Sequence, residues 1–96
     1  FVTHAYAAAK SAVIGFTKSL AAYYAKDDIR VNLLAPALVE TPMSRRASGD
    51  EAIMAFVKTK QPLAGGRNGQ PTDLDGAAVY FLSDFSRFTT GQTLYV

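Results

Sequence analysis

Residues 6–25, YAAAKSAVIGFTKSLAAYYA, decide how this chain is read. The stretch is expected to form a helix that opens with a phenol, Tyr6, and an amine, Lys10, four residues apart. Residues at i and i+4 share one helix face, so both side chains can point into one site. A free phenol has a pKa near 10 and is a poor base at neutrality, whereas an ammonium held beside it favours the phenolate. Such a pair can pass a proton in either direction. Tyrosine and lysine also fall four apart by chance on many helices, so the pair marks a site only together with its surroundings.

Working outward, the helix carries two distinct faces. At 100° per residue, Tyr6, Lys10, Val13, Thr17, Leu20 and Tyr24 lie on one side. Ala8, Ser11, Ala12, Gly15, Ser19 and Ala22 form a smooth strip of small residues on the other. Gly15 inside a helix costs about 1 kcal/mol relative to alanine and lets another backbone approach, from this chain or from a second subunit. After the polar break Lys26-Asp27-Asp28, the short apolar run Ile29 to Ala35 is expected to be a strand buried on both faces. A helix followed by such a strand belongs to the α/β class.

Pro36 ends the strand, and ALVETPM forms a loop that holds Pro42. In open parallel sheets, ligands bind beyond the carboxyl ends of the strands, which makes this loop the expected contact surface, although Thr41 can equally serve to cap the helix that follows. Residues 44–60 are expected to be a helix with Ile53, Met54, Phe56 and Val57 on its apolar side, weakened near its start by Gly49. Its position suits a substrate lid, with Met43, Met54 and Phe56 as residues that can touch substrate, although Met54 and Phe56 are better explained by packing against the body. The loop PLAGGRNGQPTD lacks the lysine and hydroxyl ending of a phosphate-binding loop and is taken as a connector. A further helix starts at Pro71 or Thr72 and runs through Leu82, with Asp73 and Asp75 suiting the positive end of its dipole. GQTLYV then begins a second buried strand. No repeat, low-complexity tract or linker divides residues 1–96, which are expected to be one piece of a single domain.

Composition narrows the function. The 96 residues are 49% hydrophobic, and 10 Lys+Arg against 8 Asp+Glu leave a net charge of only +2 with no clustered basic face. That argues against a nucleic-acid partner. There is no cysteine and His4 is the only histidine, so material for a metal site is lacking. No apolar run approaches the roughly 18 residues of a membrane span, and FVTHAY has no signal-peptide character. A cytoplasmic protein with no membrane partner is expected. The chain starts almost directly in its most apolar helix and stops within an expected strand, as a piece of a longer protein would.

The ordered set YAAAK, VNLLAP, ETPM, GQPTD, FLSD and TTGQTLYV resembles the C-terminal portion of the short-chain dehydrogenase/reductase family over essentially the whole chain. The resemblance implies a Rossmann-like, doubly wound parallel α/β sheet, here as three helices and two strands. It implies an oxidoreductase that interconverts an alcohol and a carbonyl with NAD or NADP. Tyr6 is similar to the family's catalytic acid/base, and Lys10 to the residue that favours the tyrosinate and binds the nicotinamide ribose. Asn32 and Pro36 match the strand and loop beneath the nicotinamide. Val39 matches the position whose backbone meets the carboxamide, and Thr41 a hydroxyl on the carboxamide or pyrophosphate. Ala37 stands where the family usually has glycine. The family's glycine-rich phosphate loop, catalytic serine and upstream asparagine are not among these residues, so the 96 residues alone are expected to be inactive. The family commonly forms homodimers or homotetramers through the tyrosine-bearing helix and the last helix and strand, which agrees with the small-residue strip. The competing reading is a non-catalytic binding or interaction module that keeps the scaffold, and retention of both Tyr6 and Lys10 counts against it.

Overall fold

The structure, a computed structural model, describes residues 3–45 and 49–96. Helix α1 spans His4–Tyr24 and ends in a tight turn over Ala25–Asp27, where Asp28 takes a left-handed conformation (φ 58°) and donates its N–H to the Ala25 carbonyl. Strand β1 is Leu33–Ala35, helix α2 is Glu51–Lys60, helix α3 is Asp75–Leu82 and strand β2 is Thr93–Tyr95. Helix α3 is preceded by a single turn, Pro71–Leu74, so the expected start at Pro71 holds, with the first turn wound more tightly than α. β1 and β2 pair in parallel, in the register Leu33 with Thr93, Leu34 with Leu94 and Ala35 with Tyr95. A parallel pair cannot be joined by a hairpin, and here the crossover contains α2 and α3, as the α/β reading requires.

The chain divides into two compact units, Phe1–Ala35 with Ala77–Tyr95, and Pro36–Gly76 with Val96. In the first, α1 is buried along Thr17 and Ala21, at 7% and 3% exposure. The Thr17 hydroxyl donates to the Val13 carbonyl, so burial leaves it satisfied. Ahead of β1, three residues fasten the last loop. The Arg30 guanidinium donates to the carbonyls of Phe81 (3.0 Å) and Ser83 (3.2 Å) and to the fully buried Ser86 hydroxyl (2.6 Å). Val31 donates its N–H to Thr90 Oγ1, and its carbonyl accepts from Gly91. The Asn32 amide donates to Thr89 O and accepts from Gln92 N. These bonds set the register before the first paired residue.

The strands correct the sequence expectation in two ways. Ladder pairing begins at Leu33, because residues 30–32 spend their hydrogen bonds on the 81–92 loop. Burial on both faces is not met either: Leu33, Leu34 and Ala35 are each only half-buried and Tyr95 is 73% exposed, because sheet faces are buried by helices packed over them and the described residues cover these faces only in part. The helix expected over 44–60 is also shorter. Pro42–Ser44 forms a single tight turn, residues 46–48 (Arg46 among them) lie outside the described residues, and α2 starts after Asp50. Asp50 caps it, its carboxylate accepting from the N–H groups of Ala52 (2.9 Å) and Ile53 (3.1 Å). Such a cap is typically worth about 1 kcal/mol and fixes the helix start there, with Gly49 outside it.

Candidate active site

The candidate residues fall into two groups, one in each unit. In the first unit, Tyr6 and Lys10 stand one turn apart on α1, with the Lys10 Nζ 5.4 Å from the centroid of the Tyr6 ring. That lies within the range in which an ammonium is attracted to an aromatic face. Tyr6 is 55% exposed, and its hydroxyl has no hydrogen-bond partner among the described residues. Lys10 is exposed and meets no carboxylate among them. The structure therefore brings phenol and ammonium together on an accessible surface. The strip Ala8, Ser11, Ala12, Gly15, Ser19 and Ala22 is exposed along its whole length.

In the second unit, the loop after β1 is shaped by backbone pairing that its sequence does not announce. Leu38–Glu40 runs beside Gly69: the Gly69 N–H donates to Leu38 O (2.9 Å), and the Glu40 N–H donates to Gly69 O (2.8 Å), a parallel bridge centred on Val39. A Cβ on Gly69 would lie 3.2 Å from Val39 Cγ2 and 3.4 Å from Leu38 O, so a side chain there would crowd the bridge. Ala37 donates its N–H to Val96 O. Thr41 does what a capping residue does, its Oγ1 accepting from Ser44 N (3.2 Å). Ser44 reciprocates, its Oγ accepting from Thr41 N (2.8 Å) and donating to Val39 O (2.7 Å). Gln61 donates to Leu38 O through its amide nitrogen and accepts from Leu38 N–H through its amide oxygen. The Val39 N–H has no partner among the described residues.

A cavity of about 300 Å³ opens beside this loop, lined chiefly by Leu38, Val39, Leu63, Ala64, Leu74 and Val96. Its polar edge is neutralised, because Arg67 pairs with Asp73 at 2.8 Å. That contact raises the pKa of Arg67. It holds Asp73 below the usual carboxylate range, first through the hydrogen bond from Arg67 and then through that from the Gln70 N–H. None of Met43, Met54 and Phe56 lines the cavity. Met43 is 84% exposed, Met54 is half-buried, and Phe56 is exposed with the Lys60 ammonium 5.6 Å from its ring centroid. Among the described residues no group of acidic or histidine side chains could hold a metal, and no helix is long and apolar enough to cross a membrane.

Gln61 and Gly69 carry no sequence signal. Their partners lie 23 and 31 residues away along the chain and are backbone atoms of Leu38, which local patterning cannot mark.

A long helix followed by a strand that pairs in parallel with a later one, across a crossover carrying further helices, defines an α/β scaffold. A family model described as enoyl-(acyl carrier protein) reductase matches residues 2–96, and the chain belongs to the short-chain dehydrogenase/reductase family. Momilactone A synthase of Oryza sativa subsp. japonica is 40% identical over 96 residues, covering 98% of this chain and 35% of that protein. Among solved structures, a gluconate 5-dehydrogenase from Burkholderia cenocepacia J2315 in complex with NADP and tartrate aligns with TM-score 0.89 and 41% identity, covering 95% of this chain and 35% of that one. A 4-hydroxyisoleucine dehydrogenase complexed with NADH aligns with TM-score 0.88 and 35% identity, covering 96% and 37%. The chain thus spans about a third of the length of the relatives it matches. Its parallel strands and the helices around them are part of a Rossmann-like α/β domain.

Proposed function

We propose that these residues are the C-terminal part of an NAD- or NADP-dependent oxidoreductase that interconverts an alcohol and a carbonyl. The observation that carries the proposal is the Lys10 ammonium held 5.4 Å from the ring centroid of an accessible Tyr6. Support for the reaction class comes from the family and from two neighbours named as dehydrogenases, one complexed with NADH and one with NADP. The residues fit a nicotinamide's polar end: the Val39 N–H, unpaired among the described residues, is a donor for an amide carbonyl, and the Val39 carbonyl keeps a second lone pair beside the Ser44 bond.

The cofactor, when bound, supplies or takes up the hydride at the substrate carbon. Tyr6 would give its phenolic proton to the substrate oxygen during reduction and take one from the alcohol during oxidation, so each reduction consumes one hydride and one proton, and the phenolate recovers its proton from solvent before the next. Lys10 stabilises the phenolate left on Tyr6 and binds the nicotinamide ribose. The backbone of Val39 and the loop Pro36–Ala37 orient the ring, and Thr41 contacts the carboxamide or pyrophosphate while it also caps its own turn. Met43 and Phe56, both exposed, together with Met54 serve on the substrate side. The 96 residues alone are inactive, since they span about a third of the relatives' length. A homodimer or homotetramer forms through the small-residue strip of α1 and the exposed apolar residues of α3 and β2, Val79, Leu82 and Tyr95; a strictly monomeric mass for the full-length protein would remove that part.

The test is Tyr6→Phe in the full-length protein. Carbonyl reduction should fall by about 10²- to 10⁴-fold with unfolding unchanged. A binding module that merely keeps the scaffold would show no turnover before the change and no loss of binding after it.

A further inference from the structure

The segment Leu38–Glu40 has one paired edge and one open edge. Gly69 bonds the Leu38 carbonyl and the Glu40 N–H, so the N–H and C=O of Val39, between them, turn to the opposite edge. The paired edge would stop at Gly69, leaving the Leu38 N–H unmatched. Gln61 supplies what is missing: its Oε1 accepts from the Leu38 N–H at 3.2 Å, and its Nε2 donates to the Leu38 carbonyl at 3.4 Å. A primary amide that offers an acceptor and a donor to the same residue imitates a neighbouring peptide unit. On the open edge the Ser44 hydroxyl holds the Val39 carbonyl at 2.7 Å, leaving the Val39 N–H as a donor without a partner among the described residues.

We propose that Gln61 is a positioning residue for cofactor binding: by completing the paired edge at Leu38 it fixes the plane and direction of the Val39 N–H that meets the nicotinamide carboxamide. This rests on the cofactor reading above. Gln61 is half-buried, and both polar atoms of its amide are spent on Leu38. It acts through the backbone and touches no reacting atom.

The role has a signature that general support of the fold would not give. It concerns only the nicotinamide end, so it separates the affinity for a whole dinucleotide from the affinity for its adenine half. The experiment measures, by calorimetry on the full-length protein, the binding of the dinucleotide (NAD or NADP) and of the matching ADP-ribose, 2′-phosphorylated for NADP. Gln61→Met removes both bonds at nearly constant volume. Gln61→Glu keeps the acceptor for the Leu38 N–H but sets a carboxylate oxygen against the Leu38 carbonyl. A net hydrogen bond is worth roughly 0.5–1.5 kcal/mol, so Gln61→Met should weaken the dinucleotide about threefold to tenfold and leave ADP-ribose unchanged. Gln61→Glu should weaken the dinucleotide at least as much. Unchanged ADP-ribose affinity also certifies that each variant is folded. Equal loss for both ligands, or loss for neither, overturns the positioning role while leaving the cofactor reading intact. An unaltered protein that binds neither ligand overturns both.

Discussion

Arg30 offers the sharpest test of what holds the first unit together. One guanidinium fills three acceptors, the carbonyls of Phe81 and Ser83 and the Ser86 hydroxyl, across 51 to 56 residues of chain. Phe81 lies at the end of α3, where helix carbonyls have no intrahelical donor and where a positive charge also suits the helix dipole. Replacing Arg30 by Met keeps an apolar stem in place and removes all three bonds. A hydrogen bond to a charged group contributes about 1.5–3 kcal/mol. The three share one donor group, and Ser86 Oγ retains its own bond to Phe81 O (3.1 Å), so the losses do not add in full. The expected cost is about 3 kcal/mol. Arg30→Lys retains the charge without the planar fork and should cost about half as much. Urea unfolding of the full-length protein measures the first quantity. Hydrogen exchange at the Ser86, Arg87 and Thr89 amides, all bonded within the 83–89 turn, localises it, with exchange roughly a hundredfold faster in Arg30→Met. A change in stability below about 0.5 kcal/mol with unaltered exchange would refute the clamp.

Two further outcomes follow from the second unit. Because the folded-state pKa of Asp73 is depressed by Arg67 and the Gln70 N–H, its contribution is present above the unfolded carboxylate pKa and is lost as pH falls through the folded value. Stability between roughly pH 5 and pH 2 should therefore decline less steeply in Asp73→Asn, as unfolding midpoints across that window will show; equal slopes would mean that the exposed pair contributes nothing. Gly66 has φ +76°, and a Cβ there would sit 2.8 Å from Lys58 Cγ. Gly66→Ala should destabilise by about 1–2 kcal/mol, measured by urea unfolding, and a neutral or stabilising effect would contradict the backbone described here.

Much of the fold was legible because it rests on local pattern. The α1 helix, the α/β class and the order of the two strands follow from apolar periodicity and from the positions of Pro36 and Pro42, and Tyr6 and Lys10 meet because helical spacing makes them meet. What was not legible is what long-range bonds decide. Ile29 to Ala35 looks uniformly apolar, yet the ladder begins only at Leu33, because Arg30 and Asn32 are drawn to backbone atoms of the 81–92 loop. PLAGGRNGQPTD looked like a plain connector, yet Gly69 within it carries the bridge to Val39. Thr41 was legible as either cap or ligand contact. Its hydroxyl is engaged in the cap, and the contact with cofactor is left to proposal.

The claim on which the rest depends is that Tyr6 and Lys10 work as one device, and a double-mutant cycle on carbonyl reduction by the full-length protein measures that directly. If Lys10 acts by stabilising the phenolate of Tyr6, Tyr6→Phe should remove about 10²- to 10⁴-fold of the rate. Adding Lys10→Met to it should then cost little more at saturating cofactor, the strong non-additivity expected of residues that act as a unit. Losses that multiply, or a Tyr6→Phe protein that reduces its substrate at the original rate, would contradict the account.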